Sequence, residues 1–214
     1  MKTDFDAIIV GGGGSGLAAA VSAAEHGLEV LVLEKLPVLG GTTGIAVGSF
    51  TANRTSLQDR AMIEDGLEQH VEDVRKFARP EIEARNNEPL RRYFLSESAE
   101  TYQWLVGMGL AFHGPSPEPP NRVPRMHNVV PNAKAYIAVL QNRFLRLGGT
   151  IYCNSPVTKI HISEDGAQGV EAQVNGETIR FRARRGIVLA AGDYANSQSL
   201  IAAHKGDAYA DIEG

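Results

Sequence analysis

The chain of 214 residues contains a single cysteine, Cys153. One thiol excludes an intrachain disulfide, a zinc site built on paired cysteines and a redox-active dithiol within this sequence. Proteins that use so little cysteine are typical of reducing compartments, and we therefore expect a cytoplasmic location.

An excess of positive charge is also missing. The chain has 21 Lys and Arg residues against 25 Asp and Glu, for a net charge of -4. We therefore expect neither a nucleic-acid partner nor binding to an anionic membrane.

The first six residues carry two acids where a secretory signal would carry positive charge. Three polar residues interrupt the apolar stretch 17–33, which predicts a helix and a strand and no membrane span.

The first part of the chain is predicted to form a strand, a loop, a helix and a second strand. Residues 7–10 are apolar and end at a glycine-rich loop, as expected for a buried parallel strand. Residues 17–24 are rich in alanine and predict a helix, and residues 29–34 predict another buried strand. Together they predict a βαβ unit over residues 5–35 with a right-handed crossover.

The glycine-rich loop fits the pattern G-x-G-x-x-G at Gly11, Gly13 and Gly16. The first glycine permits a tight turn, the second lets the backbone approach a pyrophosphate, and the third lets the helix pack closely on the sheet. Gly14 and Ser15 would open the helix, whose N-terminal N–H groups attract phosphate. The loop predicts a dinucleotide site, although a purely structural turn would show the same glycines.

An acidic residue closes the second predicted strand. Glu34 lies 18 residues after Gly16, near the spacing of about 20 for a ribose-binding acid. A carboxylate accepts hydrogen bonds from ribose hydroxyls and repels a 2′-phosphate. NADP is therefore disfavoured, and FAD and NAD remain as candidates.

The middle of the chain, residues 56–147, is more polar and is predicted to be mainly helical. Helices are expected at 56–78, 88–106 and 133–147 from the spacing of their apolar residues. Residues 114–124 contain five prolines and are expected to be a loop.

Residues 150–192 change to a period of two. Alternating apolar and polar residues, with turns at Asn175 and near Gly166, predict a three-stranded antiparallel β-meander. The apolar run 187–192 is expected to be a further strand that returns to the parallel sheet. We therefore expect an α/β fold that is Rossmann-like and three-layered, with a parallel sheet and an antiparallel β-meander.

Several of these motifs, which together cover most of the chain, carry a resemblance to a known family. They are DAIIVGGG at 6–13, LEK at 33–35, GGTT at 40–43, GMGLAF at 107–112, RMH at 125–127 and IVLAAG at 187–192. The sequence resembles the flavoprotein subunit family of succinate dehydrogenase and fumarate reductase. That family includes soluble fumarate reductases, 3-ketosteroid dehydrogenases and tricarballylate dehydrogenase.

The resemblance implies that the cofactor is FAD and assigns residues to it. Residues 46–51 would pass near the isoalloxazine ring, and Val157 would offer its backbone to the adenine. The other residues implied are Lys35 beside Glu34, then Gly40, Gly41, Thr42 and Thr43 along the pyrophosphate and ribityl chain, and Ala190, Ala191 and Gly192 at the adenosine half.

Three departures from the family pattern matter. Members with covalent flavin carry a histidine shortly after the paired glycines, and residues 43–46 contain none, which implies non-covalent FAD. Asp193 and Tyr194 follow Gly192 where the family often has Gly-Phe. Family chains are also longer, so residues 1–214 are expected to be the N-terminal portion of an FAD-binding domain, without the capping substrate domain.

The resemblance implies an oxidoreductase that acts on a C–C single or double bond of a small molecule. Arg125 and His127 would lie near the active face or, as we expect, be loop residues that pair with local acids, so no catalytic residue is assigned. A truncated nucleotide-binding module without turnover and an NAD-dependent dehydrogenase remain as alternatives. Surface left open by the absent domain is expected to favour self-association or association with the missing C-terminal part.

Overall fold

The computed structural model describes residues 1–164, 166–206 and 209. The chain forms two compact units. The first combines Met1–Thr42 with Phe144–Gly214, and the second is Thr43–Arg143.

The helices and strands follow one another along the chain as follows. Up to residue 48 they are β1 (Asp4–Val10), α1 (Gly14–Glu25), β2 (Val30–Leu33) and a 3-10 helix (Thr42–Ile45). Next come β3 (Ser49–Thr51), α2 (Ser56–Arg60), α3 (Leu67–Val74), α4 (Pro80–Glu83), α5 (Glu88–Ser96), α6 (Ser98–Gly107), β4 (Ala111–Ser116), β5 (Met126–Val130) and α7 (Lys134–Arg146). The last are β6 (Thr150–Tyr152), β7 (Val157–Ser163), β8 (Gly166–Val174), β9 (Glu177–Leu189) and α8 (Gln198–Lys205).

The first unit is built on a six-stranded sheet with the order β6-β2-β1-β9-β8-β7. Its first four strands are parallel neighbours, and β9, β8 and β7 form an antiparallel meander. The expected βαβ unit and β-meander are both present, so the α/β prediction is confirmed.

Strand β9 belongs to both parts of this sheet, which differs from the two separate strands expected. Its first half pairs with β8, and its second half pairs with β1 from Asp4 to Val10. The two halves meet at Arg182, which faces Gly169 on one side and Asp4 on the other. Arg184, Arg185 and Gly186 interrupt the apolar pattern there, so the sequence did not show that the strand is continuous.

Apolar side chains from the meander pack over one face of the parallel strands. Phe5, Ile8, Leu31 and Leu33 lie in one buried cluster with residues of β8 and β9, namely Val170, Ala172, Val174, Phe181 and Ala183. Helix α1 buries Leu17, Ala20 and Val21. The meander departs from strict alternation at a bulge beside His161, so Ile162 is 76% exposed.

The second unit contains a three-stranded antiparallel sheet, β3-β5-β4, and a set of short helices. Region 56–147 is therefore not helical throughout. The loop expected at 114–124 begins inside β4, and the helix expected at 56–78 is two helices separated by Met62, whose φ is 54°. The helix expected at 88–106 is interrupted at Glu97, and Leu90 and Phe94 are exposed.

Helix α7 follows the prediction closely. Ile137, Leu140 and Phe144 are buried along one face, and the chain turns at Gly148, whose φ is 82°. None of the described helices is long and apolar enough to cross a membrane.

The core cluster predicts which residues stabilise the first unit. Phe181→Ala should lower the free energy of unfolding by about 3–5 kcal/mol, because a fully buried phenyl ring is lost and a cavity is left. Chemical denaturation monitored by circular dichroism measures this change. Ile162→Ala on the exposed side of β7 is the matched control, with an expected change within about 0.5 kcal/mol. Equal effects of the two substitutions would contradict the described core.

Candidate cofactor-binding site

The glycine-rich loop lies where the ends of β1 and β9 meet the start of α1. The N–H of Ala190 donates a hydrogen bond to the carbonyl of Val10 at 2.8 Å. A Cβ on Gly11 would lie 2.3 Å from the Ala190 oxygen, and one on Gly16 would lie 1.9 Å from the Gly11 oxygen. Neither distance leaves room for a side chain, so both glycines serve the packing of the chain itself.

Gly13 is different, because the chain around it does not require glycine. Its φ is -80°, which any residue adopts. A Cβ there would meet only Gly40 and Gly41, at 3.8 and 3.9 Å, which is ordinary van der Waals contact. The structure therefore leaves open space beside Gly13, of the kind that a pyrophosphate would fill.

The paired glycines Gly40 and Gly41 form the opposite wall of this space. Gly40 bridges to Gly13, and its N–H donates to the carbonyl of Gly12 at 3.0 Å. Both residues have positive φ, 146° and 50°, which favours glycine at each position. The two glycine segments, 11–16 and 40–41, therefore make one backbone-lined cleft, which we call the glycine cleft.

Helix α1 opens beside this cleft. Gly13 is its N-cap residue and has no side chain to form a capping hydrogen bond, and Gly14 and Ser15 are its first two residues. Its first turn contains no acidic residue. The positive end of the helix dipole therefore lies where an anionic group would be stabilised.

Glu34 lies at the end of β2 and is buried, with 6% of its surface exposed. Its Oε2 accepts a hydrogen bond from the N–H of Gly12 at 2.7 Å, and its Oε1 accepts one from Leu36 at 2.8 Å. These bonds fix the carboxylate beside the loop. Each carboxylate oxygen has further acceptor capacity, so the predicted contact with a ribose hydroxyl is compatible with this geometry.

The region before Val157 is held next to Glu34. The N–H of Ser155 donates to the Glu34 carbonyl at 2.8 Å, and that of Asn154 donates to the Leu36 carbonyl at 3.0 Å. Val157 begins β7 two residues later and is half-buried. Gly12 and Ser155 were not predicted to have a role in the site, although Gly12 lies inside the glycine run.

The other predicted residues lie at the following places. Lys35 is exposed two residues after β2, Ala190 and Ala191 follow β9, and Gly192 comes next with a φ of 81°. Thr42 ends the first part of the first unit, and Thr43 begins the second unit. Their contacts with a cofactor remain predictions.

Arg125 pairs with local acids, as expected, and lies deep in the second unit. Its guanidinium donates to Asp65 at 2.7 and 2.6 Å and to Asp73 at 2.8 Å, and its side chain is fully buried. Burial alone would raise the pKa of Asp65, but hydrogen bonds from Arg125 and Gln58 hold that pKa below its usual value. Arg125 therefore anchors the second unit.

His127 is also buried, but it lies on β5 and not on the expected loop. Its Nδ1 lies 3.2 Å from the carbonyl of Phe50, which can only accept, so Nδ1 carries the proton. Nε2 then accepts from the Thr55 hydroxyl at 2.8 Å. Both ring nitrogens therefore form hydrogen bonds within the second unit. Burial lowers the pKa of His127.

His70 is a third buried polar residue of the second unit. Asn53 Nδ2 donates to its Nδ1 at 2.9 Å, since the Asn53 oxygen accepts from Arg54. The proton therefore sits on Nε2, which has no partner among the described residues. Burial lowers the pKa of His70 to about 4, and the charge of Arg125 adds to this effect.

This histidine predicts a pH dependence of stability. Because the folded-state pKa is about 4 and the usual value is 6.5, the unfolded chain binds more protons between these pH values. Stability should fall by up to about 3 kcal/mol as the pH drops through this window. Urea unfolding at pH 7 and pH 4.5 measures the loss, and His70→Gln should reduce it. An unchanged pH dependence in that variant would contradict the assignment.

The glycine cleft generates a second prediction. Gly13→Val should fold normally but lose at least tenfold in dinucleotide affinity, because its side chain would fill the open space, and Gly13→Ala should lose less. Binding is measured by fluorescence titration, and folding by circular dichroism. Gly186→Val is the matched control, since Gly186 also has open space around it but lies within β9. Full affinity in Gly13→Val would mean that the cleft is only structural.

Known proteins with similar sequences include a domain family and several reductases. The profile of the FAD binding domain family matches residues 6–211. NADH:fumarate oxidoreductase of Klebsiella pneumoniae (strain 342) is 25% identical over 206 residues, which are 95% of this chain and 22% of that protein. Vinyl phenol reductase of Lactiplantibacillus plantarum is 27% identical over 201 residues, which are 92% of this chain and 39% of that protein.

Solved structures show the same similarity. The open conformation of a flavocytochrome c3 fumarate reductase superposes with a TM-score of 0.87 and 25% identity, covering 98% of this chain and 37% of that one. A 3-ketosteroid-Δ4-(5α)-dehydrogenase from Rhodococcus jostii RHA1 gives a TM-score of 0.81 and 25% identity, covering 95% of this chain and 49% of that one.

The chain thus spans between 22% and 49% of the length of these relatives. The resemblance to flavoproteins of the fumarate reductase and succinate dehydrogenase family is confirmed, and the NAD alternative is not supported. Because the family profile covers nearly the whole sequence, this chain belongs to the FAD binding domain family, and its dinucleotide is FAD.

Proposed function

We propose that this chain is the FAD-binding part of an oxidoreductase that forms or reduces a C–C double bond in a small molecule. The observation that carries the proposal is the glycine cleft, with its open space at Gly13 and the N-terminus of α1 beside it. The reaction class rests on the relatives, which are named as fumarate oxidoreductase, vinyl phenol reductase and ketosteroid dehydrogenase.

The residues of the first unit fit a diphosphate and a ribose. Backbone N–H groups at the start of α1 would donate hydrogen bonds to the phosphates, and the Glu34 carboxylate would accept a hydrogen bond from a ribose hydroxyl. Ala190, Ala191 and Gly192 offer small side chains for a close approach of the adenosine half. When bound, FAD supplies the hydride chemistry, while the protein orients it and excludes water.

We further propose that the FAD is held without a covalent bond. Residues 42–48, which follow the paired glycines, contain no histidine, cysteine or tyrosine that would form a link to the flavin ring. Binding then depends on hydrogen bonds and on the helix N-terminus, so denaturation should release intact FAD.

Further parts of the proposal concern the setting of the chain. Residues 1–214 would form the N-terminal portion of an FAD-binding domain, with the substrate selected by further sequence. Exposed surface would favour self-association or association with that further part. The single cysteine supports a cytoplasmic location. The acidic net charge gives no support for a nucleic-acid partner.

Acid precipitation of the purified protein tests the cofactor proposal. FAD should remain in the supernatant and be identified there by chromatography. Flavin retained in the precipitate would overturn non-covalent binding, and recovery of NAD alone would overturn the FAD assignment.

Anaerobic turnover tests the reaction class, with the protein as its gene encodes it. Reduced flavin should be reoxidised faster when fumarate, a vinyl phenol or a 3-ketosteroid is added. Gly13→Val is the control, since it should contain no flavin and show no acceptor-dependent change. If the reduced flavin is reoxidised at the same rate with and without each unsaturated acceptor, the result would favour a nucleotide-binding module without turnover.

A further inference from the structure

Two neighbouring arginines line an open depression on the first unit's sheet. The depression has a volume of about 480 Å³ and is lined by Thr3, Asp4, Gln168, Arg180 and Arg182. Arg180 and Arg182 flank Phe181, whose side chain is buried in the core. Because side chains alternate along a strand, both arginines project from the opposite, exposed face of β9.

This arrangement places two positive charges side by side. Residues two apart on a strand lie roughly 6–7 Å from each other on the same face. Like charges at such a distance repel, and the repulsion is relieved when a negatively charged group lies between them.

The acids that face these arginines across the strands form hydrogen bonds to other residues. Glu171 faces Arg180 across the strands, but its Oε1 lies 2.7 Å from His161 Nε2. Asp4 faces Arg182, but its Oδ1 accepts a hydrogen bond from Arg184 at 2.6 Å. Within the described part of the chain, no carboxylate forms an ion pair with Arg180 or Arg182.

The residue opposite Arg182 on β8 is a glycine. Gly169 pairs with Arg182 across β8 and β9. A Cβ on Gly169 would lie 2.2 Å from the carbonyl oxygen of Phe181, so the close strand contact admits no side chain here. Gly169 therefore places no side chain beside the Arg182 guanidinium.

We propose that this depression binds a small dianion through phosphate or carboxylate oxygens. Guanidinium groups bind such oxyanions with paired hydrogen bonds, and the Gln168 amide and Thr3 hydroxyl supply further donors. Asp4 begins β1, whereas the glycine loop follows its end. Seven residues of strand separate the two by roughly 20 Å, so this anion site is distinct from the FAD site and independent of the proposed function.

Isothermal titration calorimetry of the FAD-loaded protein tests the proposal, because FAD already fills the dinucleotide site. Inorganic phosphate and succinate are titrated separately at constant ionic strength. We expect saturable binding of at least one, weakened at least tenfold by Arg180→Gln and by Arg182→Gln. Arg182→Lys, which keeps the charge but loses the paired geometry, should fall between these variants and the wild type.

Lys159→Gln is the matched control. Lys159 faces Glu171 from β7, on the same side of the sheet but outside the depression, so its loss should change the affinity less than twofold. Phosphate-selective binding identifies a phosphoryl ligand, and succinate-selective binding a dicarboxylate. Absence of saturable binding by either anion would overturn the proposal, as would an equal loss of affinity in Lys159→Gln.

Discussion

The first unit depends on a contact between three backbone segments that allows no side chain between them. The end of β1, the start of α1 and the residue after β9 approach so closely that Gly11 and Gly16 cannot be replaced without displacing their neighbours. This contact fixes the N-terminus of α1 above the carboxyl ends of the parallel strands. The space at Gly13, the wall formed by Gly40 and Gly41, and the oriented carboxylate of Glu34 all follow from that placement.

Charged residues show how position decides the role of one side-chain type. Arg125 is fully buried between Asp65 and Asp73, where it stabilises the second unit. Arg184 pairs with Asp4, Asp6 and Glu29 and ties the start of β1 to β9. The latter pairing lowers the pKa of Asp6 to about 2, mainly through the hydrogen bond from Arg184.

Features set by neighbouring residues were predictable from the sequence. The buried strands β1 and β2 follow from short apolar runs beside the glycine pattern, and the meander and helix α7 follow from repeated periods of two and of 3.6 residues. The choice of FAD came from the family resemblance, because the loop and Glu34 alone are compatible with FAD and with NAD. The breaks at Met62 and Glu97 were not visible, since apolar residues such as Leu90 and Phe94 keep a helical spacing while lying on an exposed face.

The spacing of apolar residues and glycines was enough to predict the α/β fold class and a dinucleotide site at the glycine-rich loop, because both are local properties of the chain. Only the tertiary structure decided that β9 is a single strand shared by the parallel and antiparallel parts of one sheet, and that Gly11 and Gly16 serve packing whereas Gly13 leaves space for a ligand. The tertiary structure also decided that Arg125 and His127 are fully buried. These outcomes depend on distances between segments far apart in sequence, which residue spacing does not encode.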